Sequence, residues 1–236
     1  TGLKGLAERA ARYYERGARF AKWRAVLQIS SHGSPSELSV KENAWGLARY
    51  ARTVQEQGLV PIVEPEILMD GEHDITTTAA VQEWVLRTTY EALAVNGVFL
   101  EGSLLKPSMT CAGAACPQQP TAEEVGEFTA RTLMRTVPSA VPAILFLSGG
   151  LSEEDASLCL NAVNQVASGA PWHLGFSYGR ALQHSCIKHW AGSDLKAGQA
   201  ALMARACANG AASLGGYVAG SEPSDDSSLF VANYSY

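Results

Sequence analysis

Five times along the chain a short apolar run ends in charged or small polar residues and gives way to a stretch whose apolar positions recur at helical spacing. The run ends read FAKWR (20–24), VEPE (63–66), LKP (105–107), LSGG (147–150) and SYGR (177–180). This alternation is a severe constraint, because strands joined through helices lie parallel and the helices must cover the sheet. With 236 residues, 47% hydrophobic and 17% charged, one large α/β domain is expected, and a single barrel of ~250 residues is within reach.

Residues 1–17 place Leu3, Leu6, Ala10 and Tyr13 at helical spacing, with Gly17 as a stop. A strand over about 20–29 carries Lys22 and Arg24 two apart, hence on one face, which suits an exposed amphipathic strand as well as a site. Ser34-Pro35-Ser36-Glu37 opens a helix on Val40, Ala44, Leu47, Ala51 and Val54 that Gly58 ends. The run 59–63 is almost wholly apolar, as in a strand covered on both faces, and terminates in Glu64-Pro65-Glu66. Paired carboxylates favour general acid–base work, since like charges push one of them toward its neutral form; the nearby Asp70, Glu72 and Asp74 fit a solvated acidic loop equally.

A helix on Val81, Val85, Thr88 and Ala92 stops at Asn96-Gly97, and the run LEGSLLKPSM (100–109) reads as a buried strand ending on Lys106. A lysine forced out of water is a weaker base and a candidate amine nucleophile; a lysine snorkelling from a strand end is the plainer alternative. Thr121-Ala122-Glu123-Glu124 is a capping box. After the strand at 141–147, Ser148-Gly149-Gly150 precedes a helix on Ala156, Leu160, Val163 and Ala167. Glycines there expose backbone N–H groups at a helix N-terminus, a geometry for phosphate, although a plain βα loop has the same composition. HLGFSYGR (173–180) is the last expected strand, its Arg180 suited to a two-pronged phosphate contact or to a surface ion pair. An alanine-rich helical region to about 214 and a Gly/Ser/Asp-rich stretch at 215–236, expected to be mobile, complete the chain.

A net charge of -5 without basic blocks disfavours nucleic acid as a partner. No apolar run reaches the ~18 residues of a membrane span, and no signal peptide opens the chain. The five cysteines lack zinc-ribbon spacing and read as reduced thiols; the five histidines show no HExxH pattern, so no metal is expected. The chain opens on Thr1 rather than Met, which leads us to expect sequence upstream.

Together FAKWR (20–24), GLVPIVEPEILMD (58–70), LEGSLLKPSM (100–109), FLSGG (146–150) and FSYGRALQ (176–183) resemble the motifs of class I, Schiff-base fructose-1,6-bisphosphate aldolases, in family order and over essentially every residue. The resemblance implies a (β/α)8 barrel, of which residues 1–214 supply about strands four to eight, and a mobile C-terminal tail over 215–236. It implies that Lys106 is the imine-forming nucleophile and Glu64 the general acid/base, with Glu66 and Lys22 as charged neighbours. Ser148, Gly149, Gly150, Ser177, Gly179 and Arg180 take the place of substrate and phosphate contacts, Arg24 is expected to reach the far phosphate, and Tyr236 to assist proton exchange.

The implied substrates are fructose 1,6-bisphosphate and triose phosphates, without cofactor or metal, in glycolysis, gluconeogenesis or the Calvin cycle. A homo-oligomer, a homotetramer by family, is implied at full length. The first three barrel strands are not among the motifs, and with them go the family's aspartate and second lysine near the imine. The piece alone is therefore expected to be inactive, and a non-catalytic binding or structural component derived from an aldolase is the alternative. GARF (17–20), KPSM (106–109) and NAWGL (43–47) resemble plant and algal members, which favours a plastid stroma, with the cytoplasm as alternative because Tyr178-Gly179-Arg180 resembles the cytosolic kind.

Overall fold

The structure, a computed structural model, describes residues 2–30, 35–232 and 234. Helix α1 (Leu6–Glu15) buries Leu6 and Ala10 and stops before Gly17, whose φ of 99° suits a helix exit. Strand β1 (Phe20–Leu27) follows. From here capping side chains set most helix starts: Ser36, Asp74, Thr121 and Ser152 each accept the backbone N–H three residues on. They open α2 (Glu37–Gln55), α3 (Ile75–Val95), α4 (Ala122–Thr136) and α5 (Glu153–Val166). The Thr121 box is reciprocal, with Glu124 accepting the Thr121 N–H at 2.8 Å. Between these helices lie β2 (Val60–Ile67), β3 (Leu104–Leu105) and β4 (Ala143–Phe146); β5 (His173–Phe176), α6 (Arg180–Trp190) and α7 (Leu195–Ala212) complete the order.

The strands form one parallel sheet in the order β1-β2-β3-β4-β5, each next to its predecessor in sequence. Alternate residues of a strand face opposite ways, and this parity sorts the chemistry. Ala25, Val63, Leu105, Ile144, Phe146 and Leu174 enter the main core with the apolar faces of the helices. Lys22, Arg24, Glu64, Glu66 and Lys106 occupy the opposite parity, so the sheet turns its charges away from the helical layer.

The fold departs from the sequence expectations in four places. Glu64 and Glu66 lie inside β2 rather than in a loop beyond it, because the ladder with β1 continues through Leu27 and Ile67. The run 100–109 is mostly not strand: a 3-10 turn at Leu100–Gly102 is closed by the Ser103 N–H and hydroxyl, both donating to the Leu100 carbonyl, and the strand is Leu104–Leu105 alone, with an isolated bridge from Ser108 to Leu147. Arg180 is the first residue of α6, not the end of a strand. The alanine-rich region is two helices, broken where Ala191 (φ 45°) and Gly192 (φ 80°) turn left-handed and Asp194 caps α7. Residues 213–232 form no helix or strand, yet Tyr217 and Leu229 are buried. Among the described residues no helix is long and apolar enough to cross a membrane.

Candidate active site

The parallel register sets Arg24 beside Glu64 and Val26 beside Glu66, so each β1 cation lies two residues short of a β2 carboxylate on the same face. Long side chains span that step. Lys22 Nζ reaches Glu64 Oε2 at 2.6 Å, and Arg24 Nε reaches Glu66 Oε2 at 2.5 Å. From the other side Lys106, held in register by its N–H to the Val63 carbonyl at 2.8 Å, brings Nζ to 3.2 Å from Glu64 Oε1. One carboxylate, 1% exposed, thus bridges two ammonium groups from two flanking segments. The Lys106 side chain is 10% exposed and that of Lys22 33%, which makes Lys106 the drier amine. An amine in water-depleted surroundings with a carboxylate at hydrogen-bonding distance has what imine formation with a carbonyl carbon requires: a nucleophile and a group to move protons.

Arg24, Glu64, Glu66 and Lys106 line the floor of a cleft of about 460 Å³, whose wall comes in part from the ends of β4 and β5. Leu147, Ser148 and Gly149 contribute from the β4 side, and Ser177, Gly179 and Arg180 from the β5 side. Gly149 (φ 65°) and Gly150 (φ 117°) adopt backbone that other residues rarely take, and a Cβ at Gly150 would lie 2.9 Å from the Phe230 Cα. The C-terminal segment therefore crosses directly over this turn. The Leu229 N–H donates to the Gly150 carbonyl at 3.0 Å, and Arg180 donates to the Leu229 carbonyl. The Tyr234 ring lies 4.4 Å from the Arg180 guanidinium and 5.7 Å from that of Arg24.

Of the residues named from sequence, Arg24, Glu64, Glu66, Lys106, Ser148, Gly149, Ser177, Gly179 and Arg180 line one cleft. Lys22 reaches it through Glu64, and Gly150 sits behind Gly149 under the C-terminal segment. Tyr236 falls outside the described residues. Sequence reasoning missed the flank made by Gln183, His184, Ile187 and Lys188, and also Tyr234. Positions 183, 184, 187 and 188 follow Arg180 at i+3, i+4, i+7 and i+8, one helical face, a signal visible only once a helix is taken to start at Arg180. All five cysteines are free, and among the described residues no cluster of three or more His, Cys, Asp or Glu side chains is disposed to hold a metal ion.

The family model for class I fructose-bisphosphate aldolase matches residues 1–236. The chain is 55% identical over 239 residues to the cytoplasmic isozyme 2 aldolase of Pisum sativum, covering 100% of this chain and 66% of that protein. It is 53% identical over 238 residues to the chloroplastic aldolase of Oryza sativa subsp. japonica, covering 100% of this chain and 60% of that one. Among solved structures, the Plasmodium falciparum aldolase, crystallised with TRAP and a small-molecule inhibitor, superposes with a TM-score of 0.90 at 53% identity. That match covers 93% of this chain and 64% of the other. The chain thus spans between 60% and 66% of the length of these relatives, and its sheet is part of a (β/α)8 barrel.

Proposed function

The chain belongs to the class I fructose-bisphosphate aldolase family, and from that premise we propose that the protein cleaves fructose 1,6-bisphosphate reversibly through an imine on Lys106. The observation that carries this reading is the shared buried carboxylate, Glu64, between Lys106 and Lys22. Glu64 takes a proton from the Lys106 ammonium, Nζ adds to the C2 carbonyl, and the two protons lost from nitrogen, relayed through Glu64, depart with the C2 oxygen as water. Glu64, ionised again, takes the C4 hydroxyl proton, and the C3–C4 bond breaks. Its electron pair moves onto the iminium nitrogen as an enamine, and glyceraldehyde 3-phosphate departs. Protonation at C3 and hydrolysis return dihydroxyacetone phosphate and the free lysine. Imine chemistry needs no metal as electron sink.

Arg180 and the Ser148-Gly149-Gly150 turn bind one phosphate, with Ser177 and Gly179 shaping that wall; Arg24, held by Glu66, faces the other. Tyr236, the last residue of the segment 215–236, assists proton exchange at C3. The remaining wall, including an aspartate and a second lysine, comes from the part of the family's length that the chain does not span, so residues 1–236 alone are inactive. The full-length protein is a homotetramer of the plastid stroma, serving the Calvin cycle; relatives of both chloroplastic and cytosolic type leave the cytoplasm as the alternative.

The test is a coupled cleavage assay on the full-length protein. Turnover of fructose 1,6-bisphosphate should be indifferent to chelator, and borohydride should inactivate only when substrate is present. Absence of cleavage, with no borohydride sensitivity, would favour a non-catalytic aldolase-derived component.

A further inference from the structure

The phosphate wall is assembled from separate segments: the Gly149-Gly150 turn before α5, Arg180 at the start of α6, and the C-terminal stretch that crosses both. One side chain ties all three. Glu153, the first residue of α5, is 0% exposed. Its Oε1 accepts the Ser185 N–H at 2.8 Å, and its Oε2 accepts the Ser185 hydroxyl at 2.6 Å and the Asp225 N–H at 2.9 Å. Ser185 belongs to the helix that begins at Arg180, and Asp225 to the stretch whose Leu229 bonds both Gly150 and Arg180.

Arg205 of α7, equally buried, closes the back of the knot by donating to the Glu153 carbonyl at 2.7 Å and to Ser157 Oγ at 2.5 Å. Among the described residues no lysine or arginine forms an ion pair with the Glu153 carboxylate, which is satisfied by oriented N–H and O–H groups. Burying a carboxylate is costly, and an apolar residue would pack two helices together without that cost. What the carboxylate adds is direction: three directional bonds fix α6 and the C-terminal stretch in position relative to the turn.

We propose that Glu153 is a positioning residue for the phosphate pocket, setting the Arg180 guanidinium against the Gly149-Gly150 turn and so selecting ligands that carry a phosphate monoester at that end. The proposal rests on the reading of Arg180 and the glycine turn as a phosphate site. In the full-length protein, Glu153→Gln keeps the shape but turns one acceptor into a donor that faces donors. The dihydroxyacetone phosphate concentration for half-maximal borohydride trapping should rise about tenfold, the size expected for losing bonds to a buried charged acceptor. The value for unphosphorylated dihydroxyacetone, which meets the same lysine without using the phosphate wall, should stay within about twofold.

Ser185→Ala removes a single hydroxyl and leaves the carboxylate and both backbone donors; it should give the same selective shift at about threefold, and it decides the matter if Glu153→Gln does not fold. An equal shift for both ketones, or none for the phosphorylated one, overturns the proposal. Affinity for inorganic phosphate, titrated by phosphorus NMR, should fall with the same variants. Because that readout needs no covalent chemistry, failure of trapping in the unsubstituted protein would count against the imine while the phosphate titration still decides the role of Glu153.

Discussion

At the scale of residues, two lysines compete for one carboxylate, and exposure separates them. Lys22 makes the shorter contact to Glu64, but Lys106 is the one shut away from water. This was legible in outline from the sequence, since a lysine closing an apolar run and two carboxylates at i, i+2 stand out in a line of residues. What the line does not contain is register: that Lys22 reaches Glu64 and Arg24 reaches Glu66 follows from Arg24 lying beside Glu64 across the ladder. The cysteines give an independent check on burial. Burial pushes the Cys111 thiol up to about 12 and that of Cys159 well above its ordinary value, whereas Cys207 is exposed. At pH 8 the thiolate fraction of Cys111 is on the order of 10⁻⁴, and the thiolate is the reactive form. An aromatic disulfide reagent should therefore label Cys207 rapidly and reach Cys111 and Cys159 only on unfolding. Labelling of Cys111 in the native protein would show that the core around it is open.

At the scale of elements, helix starts were the most legible feature, because a cap is local chemistry: Ser36 and Thr121 do in space what their spacing announces. Strand ends were less so. The run 100–109 has strand composition, but Ser103 spends its N–H and hydroxyl on the Leu100 carbonyl, and Pro107 has no N–H to extend a ladder. Packing between helices was not legible at all. Gly126 in α4 and Gly46 in α2 look alike in sequence. A Cβ at Gly126 would lie 2.8 Å from the Ala162 backbone of α5, whereas one at Gly46 meets nothing within 4 Å. Gly46→Ala should stabilise by up to about 1 kcal/mol through helix propensity. Gly126→Ala gains the same propensity but incurs overpacking of about 1–3 kcal/mol and should lower the melting temperature. Thermal unfolding of the two variants side by side checks this; equal shifts in one direction would contradict the close α4–α5 crossing.

At the scale of the whole molecule, β1 and β5 are the outer strands of the sheet, and Phe20 at the start of β1 is 63% exposed. A barrel removes such edges by closing, and an open one offers them to any other strand. Residues 1–236 expressed alone should therefore associate in sedimentation. A sharp monomeric boundary with a cooperative thermal transition would mean that the edges are covered within this chain. The reactivity of Lys106 is likewise a property of the complete barrel, because a missing wall lets water back into the site, where it competes for the groups that move protons. The most direct measurement is thus on the full-length protein: borohydride reduction with dihydroxyacetone phosphate, followed by peptide mass mapping. The adduct should lie on the peptide containing Leu105-Lys106-Pro107, and Lys106→Met should abolish trapping and cleavage together; an adduct on Lys22, or cleavage that survives Lys106→Met, would contradict the mechanism.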